Sequence, residues 1–166
     1  MLFENQYATE IEDALKSLTD ILRQQGMTVT TVESCTGGMI AASLTSLSGS
    51  SAYFKTGLVT YANESKSQLV NVKDTTLKTY GAVSEQTARE MALGGLTAST
   101  SDCAIAVTGI AGPDGGSQEK PVGLVYIGTA VSKNDVKVER YLFDGDRCSI
   151  RTQTTLTALK QLQAQL

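Results

Sequence analysis

The run CAIAV at residues 103–107 constrains the fold more than any other part of the sequence. All of its residues are apolar, so a strand formed by this run has to be covered on both faces. Helices on both sides of a largely parallel sheet provide such cover. The chain has 166 residues, of which 41% are apolar, so it is long enough to bury one such core without disulfides or metals. We therefore expect an α/β fold.

Helical and strand-like segments alternate along the rest of the chain. The predicted helices cover residues 7–25 and 39–44 and begin near residues 63, 84 and 146. The predicted strands cover residues 28–34, 57–61, 103–107, 123–131 and 136–143, and the last two are close enough for a hairpin. Gly94 and Gly95 are expected to weaken the end of the helix that begins near residue 84.

This order of segments predicts a three-layer α/β/α sandwich with a mixed, mostly parallel sheet of about five strands. The sequence contains no internal repeat and no linker-like stretch. We therefore expect residues 1–166 to form a single domain.

The composition excludes several kinds of chemistry. The chain contains no His, which rules out Ser-His-Asp triads, Cys-His pairs and His-ligated zinc. Its cysteines, Cys35, Cys103 and Cys148, are widely spaced and form no CxxC motif, so neither a disulfide framework nor a zinc ribbon is expected. Proton transfer near neutral pH therefore falls to Lys, Asp, Glu, Tyr or Cys with a shifted pKa.

Charge and hydropathy indicate the setting in which the protein acts. Seventeen acidic and fourteen basic residues give a net charge of −3, and the basic residues are too scattered to form a nucleic-acid footprint. The N-terminal sequence is acidic and amphipathic, unlike a signal peptide. No apolar run approaches the roughly 20 residues that cross a bilayer. We expect a cytoplasmic protein that binds neither nucleic acid nor membranes.

The first candidate loop follows the strand predicted at 28–34, at the edge of the sheet where α/β proteins bind ligands. Ser34 stands there just before a helix, where free N–H groups can receive an oxyanion, and this position suits a nucleophile in acyl transfer. The alternative is that Ser34 and Thr36 are helix N-caps. Cys35 is a rival nucleophile, although its residue type favours a small buried thiol.

The second candidate loop carries Tyr61, Asn63 and Lys66. If Asn63 caps the following helix, Lys66 lies in its first turn, where the helix dipole disfavours an ammonium group. A general base near neutral pH needs the Lys66 pKa to fall by about 3 units, or about 4 kcal/mol, which burial can supply. The alternatives are a solvated surface lysine for Lys66 and a core aromatic at a strand end for Tyr61.

The third candidate loop is the glycine-rich segment TGIAGPDGG at residues 108–116. Such a loop lets the backbone approach a phosphate closely, and a structural turn is an equal alternative. It is not a Walker loop, since no Gly-Lys-Ser/Thr follows at the required spacing. Arg147 could pair with a phosphate, or it could be a surface arginine beside an Asp146 N-cap.

Six blocks stand in a fixed order between residues 33 and 147: ESCTGG, GSSAYFKTGLVTYANESK, GAVSE, TGIAGPDGG, KPVGLVYIG and FDGDR. In this order they resemble the family of the C-terminal domain of the competence/damage-inducible protein CinA. Stand-alone members of that family are nicotinamide mononucleotide amidohydrolases. The family fold is also an α/β/α sandwich with a mixed sheet, in agreement with the pattern of segments.

The resemblance implies a reaction and roles for particular residues. The expected reaction is hydrolysis of the carboxamide of nicotinamide mononucleotide to nicotinic acid mononucleotide and ammonia, in pyridine nucleotide salvage. Ser34 is implied to be the nucleophile and Lys66 its base, without a metal or another cofactor. Tyr61 and Thr108 are implied to orient this Ser-Lys dyad or the amide.

The remaining expectations concern binding and assembly. N–H groups from Thr36 to Gly38 are expected to stabilise the oxyanion, and Arg147 is expected to meet the phosphate or a neighbouring subunit. The expected substrate-binding residues are Thr36, Gly37, Gly38, Asn63, Gly109, Gly112 and Arg147. The resemblance also implies a homodimer. The alternative function is that of a non-catalytic nucleotide-binding paralogue with a regulatory role in competence or damage responses.

Overall fold

The computed structural model of the protein describes residues 5–166. The helices are α1 (Ala8–Gln25), α2 (Met39–Thr45), α3 (Asn63–Val70), α4 (Asp74–Tyr80), α5 (Glu85–Ser99) and α6 (Arg147–Gln165). The strands are β1 (Val29–Glu33), β2 (Phe54–Val59), β3 (Cys103–Gly109), β4 (Leu124–Ser132) and β5 (Asp135–Leu142). Short 3₁₀ turns at Asn5–Tyr7 and Ser50–Ala52 complete the elements.

The five strands form one sheet in the order β2-β1-β3-β4-β5. Strand β1 lies between β2 and β3 and runs parallel to both. Strand β4 is antiparallel to β3 and to β5, with which it forms the predicted hairpin. Four of the strands therefore run in the same direction, and the predicted mixed, mostly parallel sheet is confirmed.

Helices cover both faces of the sheet, as the CAIAV run requires. Cys103, Ile105 and Val107 of β3 point into a core that includes apolar residues of α1, α2 and α6. Ala104 and Ala106 point to the other face, into a core with residues of α3 and α5. The three-layer arrangement is therefore confirmed.

Helix α5 continues through Gly94 and Gly95 to Ser99, so the prediction that these glycines weaken its end is wrong. At both positions a neighbouring segment lies so close to the helix backbone that a side chain would not fit. A Cβ on Gly94 would lie 1.8 Å from Val70 O at the end of α3, and a Cβ on Gly95 would lie 2.7 Å from Val32 Cγ2 in β1. The glycines let α5 pack directly against α3 and the sheet.

Two further elements differ from the sequence prediction. Strand β2 is predicted at 57–61, but it covers Phe54–Val59, and the chain leaves the sheet at Thr60, whose N–H donates to Glu33 O (2.8 Å). Helix α4 is not predicted, because Thr76 is its one buried residue and its apolar pattern is weak. The earlier end of β2 places Tyr61 in a loop beyond the strand.

No helix within residues 5–166 is long and apolar enough to cross a membrane.

Candidate active site

A cavity of about 290 Å³ opens where β1, β2 and β3 end. Its walls come from the segments that follow these strands, from the segment before α5 and from the first residue of α6. Every predicted site residue except Thr36, Gly37 and Gly38 lines this cavity. The three candidate loops therefore meet at one place, as expected from the carboxyl ends of neighbouring parallel strands.

Ser34 and Lys66 belong to different strand-to-helix connections and meet inside this cavity. Ser34 directly follows β1, and its N–H donates to Val107 O in β3 (3.1 Å). Lys66 lies in the first turn of α3, and its Nζ is 3.2 Å from Ser34 Oγ. Because Ser34 is 9% and Lys66 is 1% exposed, their contact is sheltered from bulk water.

Lys66 is buried without a carboxylate partner. Its Nζ also lies 2.8 Å from Thr60 O and 3.4 Å from Tyr61 O. None of the salt bridges formed within the described chain involves it. Burial lowers the pKa of the Lys66 ammonium group below its ordinary value of 10.5, because the charged form loses its hydration. The alternative of a solvated surface lysine is therefore wrong.

The contacts of Lys66 Nζ suit a neutral amine. A neutral amine has two N–H groups, which match the carbonyl oxygens of Thr60 and Tyr61, and one lone pair. That lone pair is left for the Ser34 hydroxyl, which then donates to Nζ. When Nζ is protonated, it donates to all three oxygens instead. The positions of the three oxygen atoms therefore suit hydrogen bonds with Lys66 Nζ both before and after it receives a proton.

Glu33 is the last residue of β1, and its carboxylate folds back onto the start of α2. Oε2 accepts hydrogen bonds from Thr36 Oγ1 (2.7 Å), Gly38 N (2.9 Å) and Ile40 N (3.1 Å). Oε1 accepts from Ala41 N (2.8 Å), and the residue is completely buried. Since the first N–H groups of a helix have no acceptor inside the helix, Glu33 supplies one from outside.

The alternative interpretation of Ser34 and Thr36 as N-caps of α2 is wrong. Helix α2 begins at Met39, and no side chain caps it from the preceding position, Gly38. The Thr36 hydroxyl donates to Glu33 instead. Glu33 was not among the predicted site residues, although the sequence carries a signal for it, an acidic residue at the end of a strand that is otherwise apolar or β-branched.

The backbone donors near Ser34 differ from the expected set. The N–H of Gly37 donates to Ser34 O (3.1 Å), and the N–H of Gly38 donates to Glu33 Oε2. The expectation that these two glycines hold an oxyanion therefore fails, because their donors are already engaged. Among the hydrogen bonds between different residues of the range 5–166, none uses the N–H of Cys35 or Thr36, and the Cys35 N–H interacts with its own thiol. Cys35 lines the cavity, whereas Thr36 is fully buried behind it.

The Cys35 thiol is a buried group, as its residue type suggested. It is 6% exposed, and burial raises its pKa to about 12. A thiol is a nucleophile as its thiolate, which this pKa suppresses near neutral pH. The hydroxyl of Ser34 is therefore the better candidate for attack on a substrate.

Tyr61 and Arg147 stand at the mouth of the cavity. Tyr61 is 60% exposed, so its interpretation as a core aromatic is wrong. Its hydroxyl accepts from Arg147 Nη2 (3.1 Å), and Arg147 Nη1 donates to Gly112 O (2.9 Å). Asp146 caps α6 by accepting from Ser149 N (2.8 Å), as predicted. Arg147 is thereby held at the cavity mouth, across from the Tyr61 ring.

Thr108 and Asn63 line the cavity in ways that the sequence did not predict. Thr108 Oγ1 donates to Ala82 O (2.8 Å), which joins the end of β3 to the wall before α5, and it makes no hydrogen bond to Ser34 or Lys66. Asn63 is predicted to cap α3, but it is the first residue of the helix, Ala62 holds the cap position and no side-chain cap is formed. Both side chains remain at the surface of the cavity.

The glycine-rich loop contributes backbone to the cavity. A Cβ on Gly109 would lie 2.6 Å from Val125 Cγ2, so this glycine permits the close pairing of β3 with β4. The Gly112 carbonyl anchors Arg147, as described above. Asp114 from the same loop also lines the cavity and was not among the predicted residues.

A larger cavity of about 770 Å³ lies on the other side of Arg147. It shares Ala111 and Arg147 with the first cavity, and its other walls include Cys148 and Arg151 of α6. Neither Ser34 nor Lys66 reaches it. The Ser34 and Lys66 side chains therefore belong to the smaller cavity.

The smaller cavity contains a hydroxyl in contact with an amine of lowered pKa. A hydroxyl in contact with such an amine is chemically able to act as a nucleophile beside a general base, as acyl transfer requires. Within residues 5–166, no three Cys, Asp or Glu side chains converge where they could hold a metal ion.

Comparisons with known proteins support a single family. The sequence model of the CinA C-terminal domain matches residues 11–166. The chain is 46% identical over 157 residues to the nicotinamide-nucleotide amidohydrolase PncC of Escherichia coli, covering 95% of each protein. It is 49% identical over 160 residues to a CinA-like protein of a Geobacter species, covering 96% of this chain and 38% of that protein.

The fold is also similar to solved structures. The crystal structure of the competence/damage inducible protein CihA from Agrobacterium tumefaciens superposes with a TM-score of 0.93 at 44% identity. The superposition covers 99% of this chain and 98% of that one. The similarity in sequence and the similarity in fold therefore extend over nearly the same residues.

Proposed function

Because the chain belongs to the CinA C-terminal domain family and its Ser34 and Lys66 side chains are in contact, we propose that it is a nicotinamide mononucleotide amidohydrolase. It hydrolyses the carboxamide of nicotinamide mononucleotide to nicotinic acid mononucleotide and ammonia. The single observation that carries this proposal is the 3.2 Å contact between Lys66 Nζ and Ser34 Oγ in a buried setting. The name of the E. coli relative, at 46% identity, supports the choice of substrate.

The first half of the reaction forms an ester on Ser34. Ser34 Oγ attacks the carboxamide carbon while the neutral Lys66 amine takes the hydroxyl proton. The tetrahedral intermediate collapses, the C–N bond breaks, and the Lys66 ammonium gives its proton to the leaving NH₂ group, which departs as ammonia. The carbonyls of Thr60 and Tyr61 hold Nζ in place in both protonation states.

The second half of the reaction releases the acid. Water attacks the ester carbon while Lys66 takes one of its protons. The second tetrahedral intermediate breaks the C–Oγ bond, and the proton returns to Ser34 as nicotinic acid mononucleotide leaves. The sum is one amide and one water consumed, and one carboxylic acid and one ammonia formed.

The oxyanion of both intermediates is stabilised by the N–H of Cys35, the residue that follows the nucleophile and lines the cavity. Within the described chain, this donor and the N–H of Thr36 are the ones in this turn that form no hydrogen bond to another residue. One well-placed donor contributes about 3 kcal/mol to the barrier reduction.

The nucleotide lies across the cavity, with its amide at Ser34 and its phosphate at Arg147. Asn63, Gly109 and Gly112 border the path between these two points. Tyr61 and Thr108 support the binding groups, through Arg147 and through Ala82 respectively. The family resemblance further supports a homodimer of single domains over residues 1–166, acting in cytoplasmic pyridine nucleotide salvage without a metal or another cofactor.

The test is an assay of purified protein for ammonia and nicotinic acid mononucleotide. We expect the two products in equal amounts from nicotinamide mononucleotide, and a far lower rate from nicotinamide, which lacks the ribose and its phosphate. Ser34→Ala is expected to abolish the reaction, whereas Ser43→Ala, a matched change at a buried serine of α2, keeps it. Saturable binding of the nucleotide without product would favour the non-catalytic alternative.

A further inference from the structure

Glu33 is a completely buried carboxylate to which the proposed reaction gives no role. We propose that Glu33 is a positioning residue for the Ser34 nucleophile, an inference that rests on the proposed function. It does not touch the substrate. It fixes the turn that carries Ser34 and determines which backbone donors remain for the oxyanion.

The first support is that Ser34 lies between anchored points. On one side, Glu33 O accepts from Thr60 N, and Ser34 N donates to Val107 O. On the other side, the Glu33 side chain accepts four hydrogen bonds from residues 36–41. The Glu33 side chain therefore ties the two ends of the turn from Ser34 to Gly38 together, while Arg151 Nη2 anchors the turn from outside by donating to Thr36 O (2.7 Å).

The second support is electrostatic. The start of a helix presents unpaired N–H groups and attracts anions. In α2 this position is already filled by Glu33, which binds the N–H groups of Ile40 and Ala41. The oxyanion of the substrate is therefore not drawn to the helix, and the N–H of Cys35, which follows the nucleophile and forms no hydrogen bond to another residue, is left to receive it.

The substitution Glu33→Gln tests this role, because it keeps the size of the side chain and changes its hydrogen-bonding groups. A carboxylate accepts at both oxygens, whereas an amide accepts at one and donates from the other end. The amide introduced by Glu33→Gln would place its NH₂ against at least one of the backbone N–H groups that the carboxylate now binds. Because two N–H donors repel each other at this distance, the turn that follows Ser34 then has to shift.

We expect Glu33→Gln to lower kcat for nicotinamide mononucleotide by about 10- to 100-fold, since small displacements of a nucleophile have effects of this order. The KM is expected to stay within about threefold of wild type, because Glu33 lies outside the cavity lining. The pH at which the rate rises is expected to be unchanged, because burial and Cys35 are what shift the Lys66 pKa, and Glu33 does not contribute to that shift.

A second readout does not depend on the natural substrate. An alkyl fluorophosphonate reacts with an activated serine: the Ser34 Oγ–P bond forms, the P–F bond breaks, fluoride leaves and Lys66 takes the hydroxyl proton. Labelling of Ser34 is followed by intact-protein mass spectrometry. We expect Glu33→Gln to label about tenfold more slowly than wild type but to the same final stoichiometry. If wild type labels and yet releases no ammonia, the proposed function fails while the role of Glu33 is still tested.

A control variant and a second test variant separate positioning from general stability. Ile11→Val removes a methylene from the core at α1, away from the turn, and is expected to lower Tm with wild-type kcat and labelling rate. Thr36→Val removes one of the four donors to Glu33 at nearly constant volume and is expected to lower kcat by about threefold to tenfold. This variant keeps the test decisive if Glu33→Gln does not fold.

The inference is overturned if Glu33→Gln folds with wild-type kcat and labelling rate, whatever its Tm. If Glu33→Gln does not fold, wild-type kcat in Thr36→Val overturns it equally. Reduced kcat in either folded variant with an unchanged KM, beside normal kcat in Ile11→Val, supports it.

Discussion

Glu33 and Lys66 are the two charged residues with fully buried side chains in residues 5–166, and they are buried in opposite ways. Glu33 receives four hydrogen-bond donors, all from residues 36–41. Lys66 Nζ lies within hydrogen-bond distance of two carbonyl oxygens and the Ser34 hydroxyl, and no carboxylate is paired with it to balance an ammonium charge. The surroundings of Glu33 therefore fill its acceptor sites with hydrogen bonds, whereas the surroundings of Lys66 disfavour a positive charge.

Burial of Glu33 therefore has a structural effect, whereas burial of Lys66 changes the chemistry of its amine. A carboxylate whose acceptor sites are filled holds its surroundings in one geometry. An amine that is desolvated without a partner is neutral, and so free to accept a proton, at lower pH, because its pKa falls. The fold places both groups beside Ser34, one next to it in sequence and the other across a strand-to-helix connection.

The largest expected effect comes from removing the amine. Lys66→Met keeps the length of the side chain but cannot take a proton from Ser34. We expect ammonia release from nicotinamide mononucleotide to fall about 10³-fold or more, as for the loss of a general base. Lys73→Met, at an exposed lysine before α4, is the matched control and should keep wild-type activity. An active Lys66→Met would show that Lys66 is not the base.

The next largest effect concerns stability and comes from removing the carboxylate. Glu33→Ala leaves the Thr36 hydroxyl and three N–H groups without their acceptor. We expect the free energy of unfolding in urea to fall by about 3 kcal/mol or more. Thr30→Val on the same strand removes one buried hydrogen bond to Thr56 O and should cost about 1 kcal/mol. Equal losses in the two variants would contradict a special role for the Glu33 network.

A smaller effect is the dependence of stability on pH. Because burial lowers the Lys66 pKa, the folded protein binds fewer protons than the unfolded chain between that lowered pKa and 10.5. The free energy of unfolding of wild type therefore gains, across this window, up to about 1.4 kcal/mol per pH unit as the pH rises. Lys66→Met should lack this gain, whereas Lys73→Met should retain it. Parallel curves for wild type and Lys66→Met would show that Lys66 titrates alike in both states.

The smallest effect lies at the cavity mouth, away from both buried groups. Tyr61→Phe removes the acceptor of the Arg147 Nη2 hydrogen bond but leaves the bond to Gly112 O. An exposed hydrogen bond contributes about 0.5–1 kcal/mol, so we expect KM for nicotinamide mononucleotide to rise about twofold to fivefold with kcat unchanged. Tyr80→Phe, at another exposed tyrosine, should change neither constant. A large loss of kcat in Tyr61→Phe would place its hydroxyl in the chemistry.

Local signals in the sequence were sufficient for most of the fold. The sequence predicts helix starts at Ser84 and Asp146, and both residues cap helices through the side chain. The hairpin of β4 and β5 followed from its short connection. The role of Gly94 and Gly95 could not be predicted, because it depends on how closely α5 approaches α3 and β1, which are distant in sequence.

The candidate site was predictable in outline but not in its hydrogen bonds. Ser34 and Lys66 each follow a strand whose end faces the same edge, so their proximity follows from topology. Which N–H groups remain unused depends on the conformation of the Glu33 side chain, which residue type alone does not determine. The position of Tyr61 depended on where β2 leaves the sheet, and strand ends are set by pairing with β1.

The protonation of Lys66 can be measured directly by NMR. The ¹³Cε signal of Lys66, assigned by its absence from the spectrum of Lys66→Met, is followed in the wild-type protein as the pH is raised. A midpoint below 10.5 is expected, because burial removes the hydration of the ammonium form. A Lys66 signal that titrates at or above 10.5 would contradict the claim that a neutral amine stands ready to take the proton of Ser34.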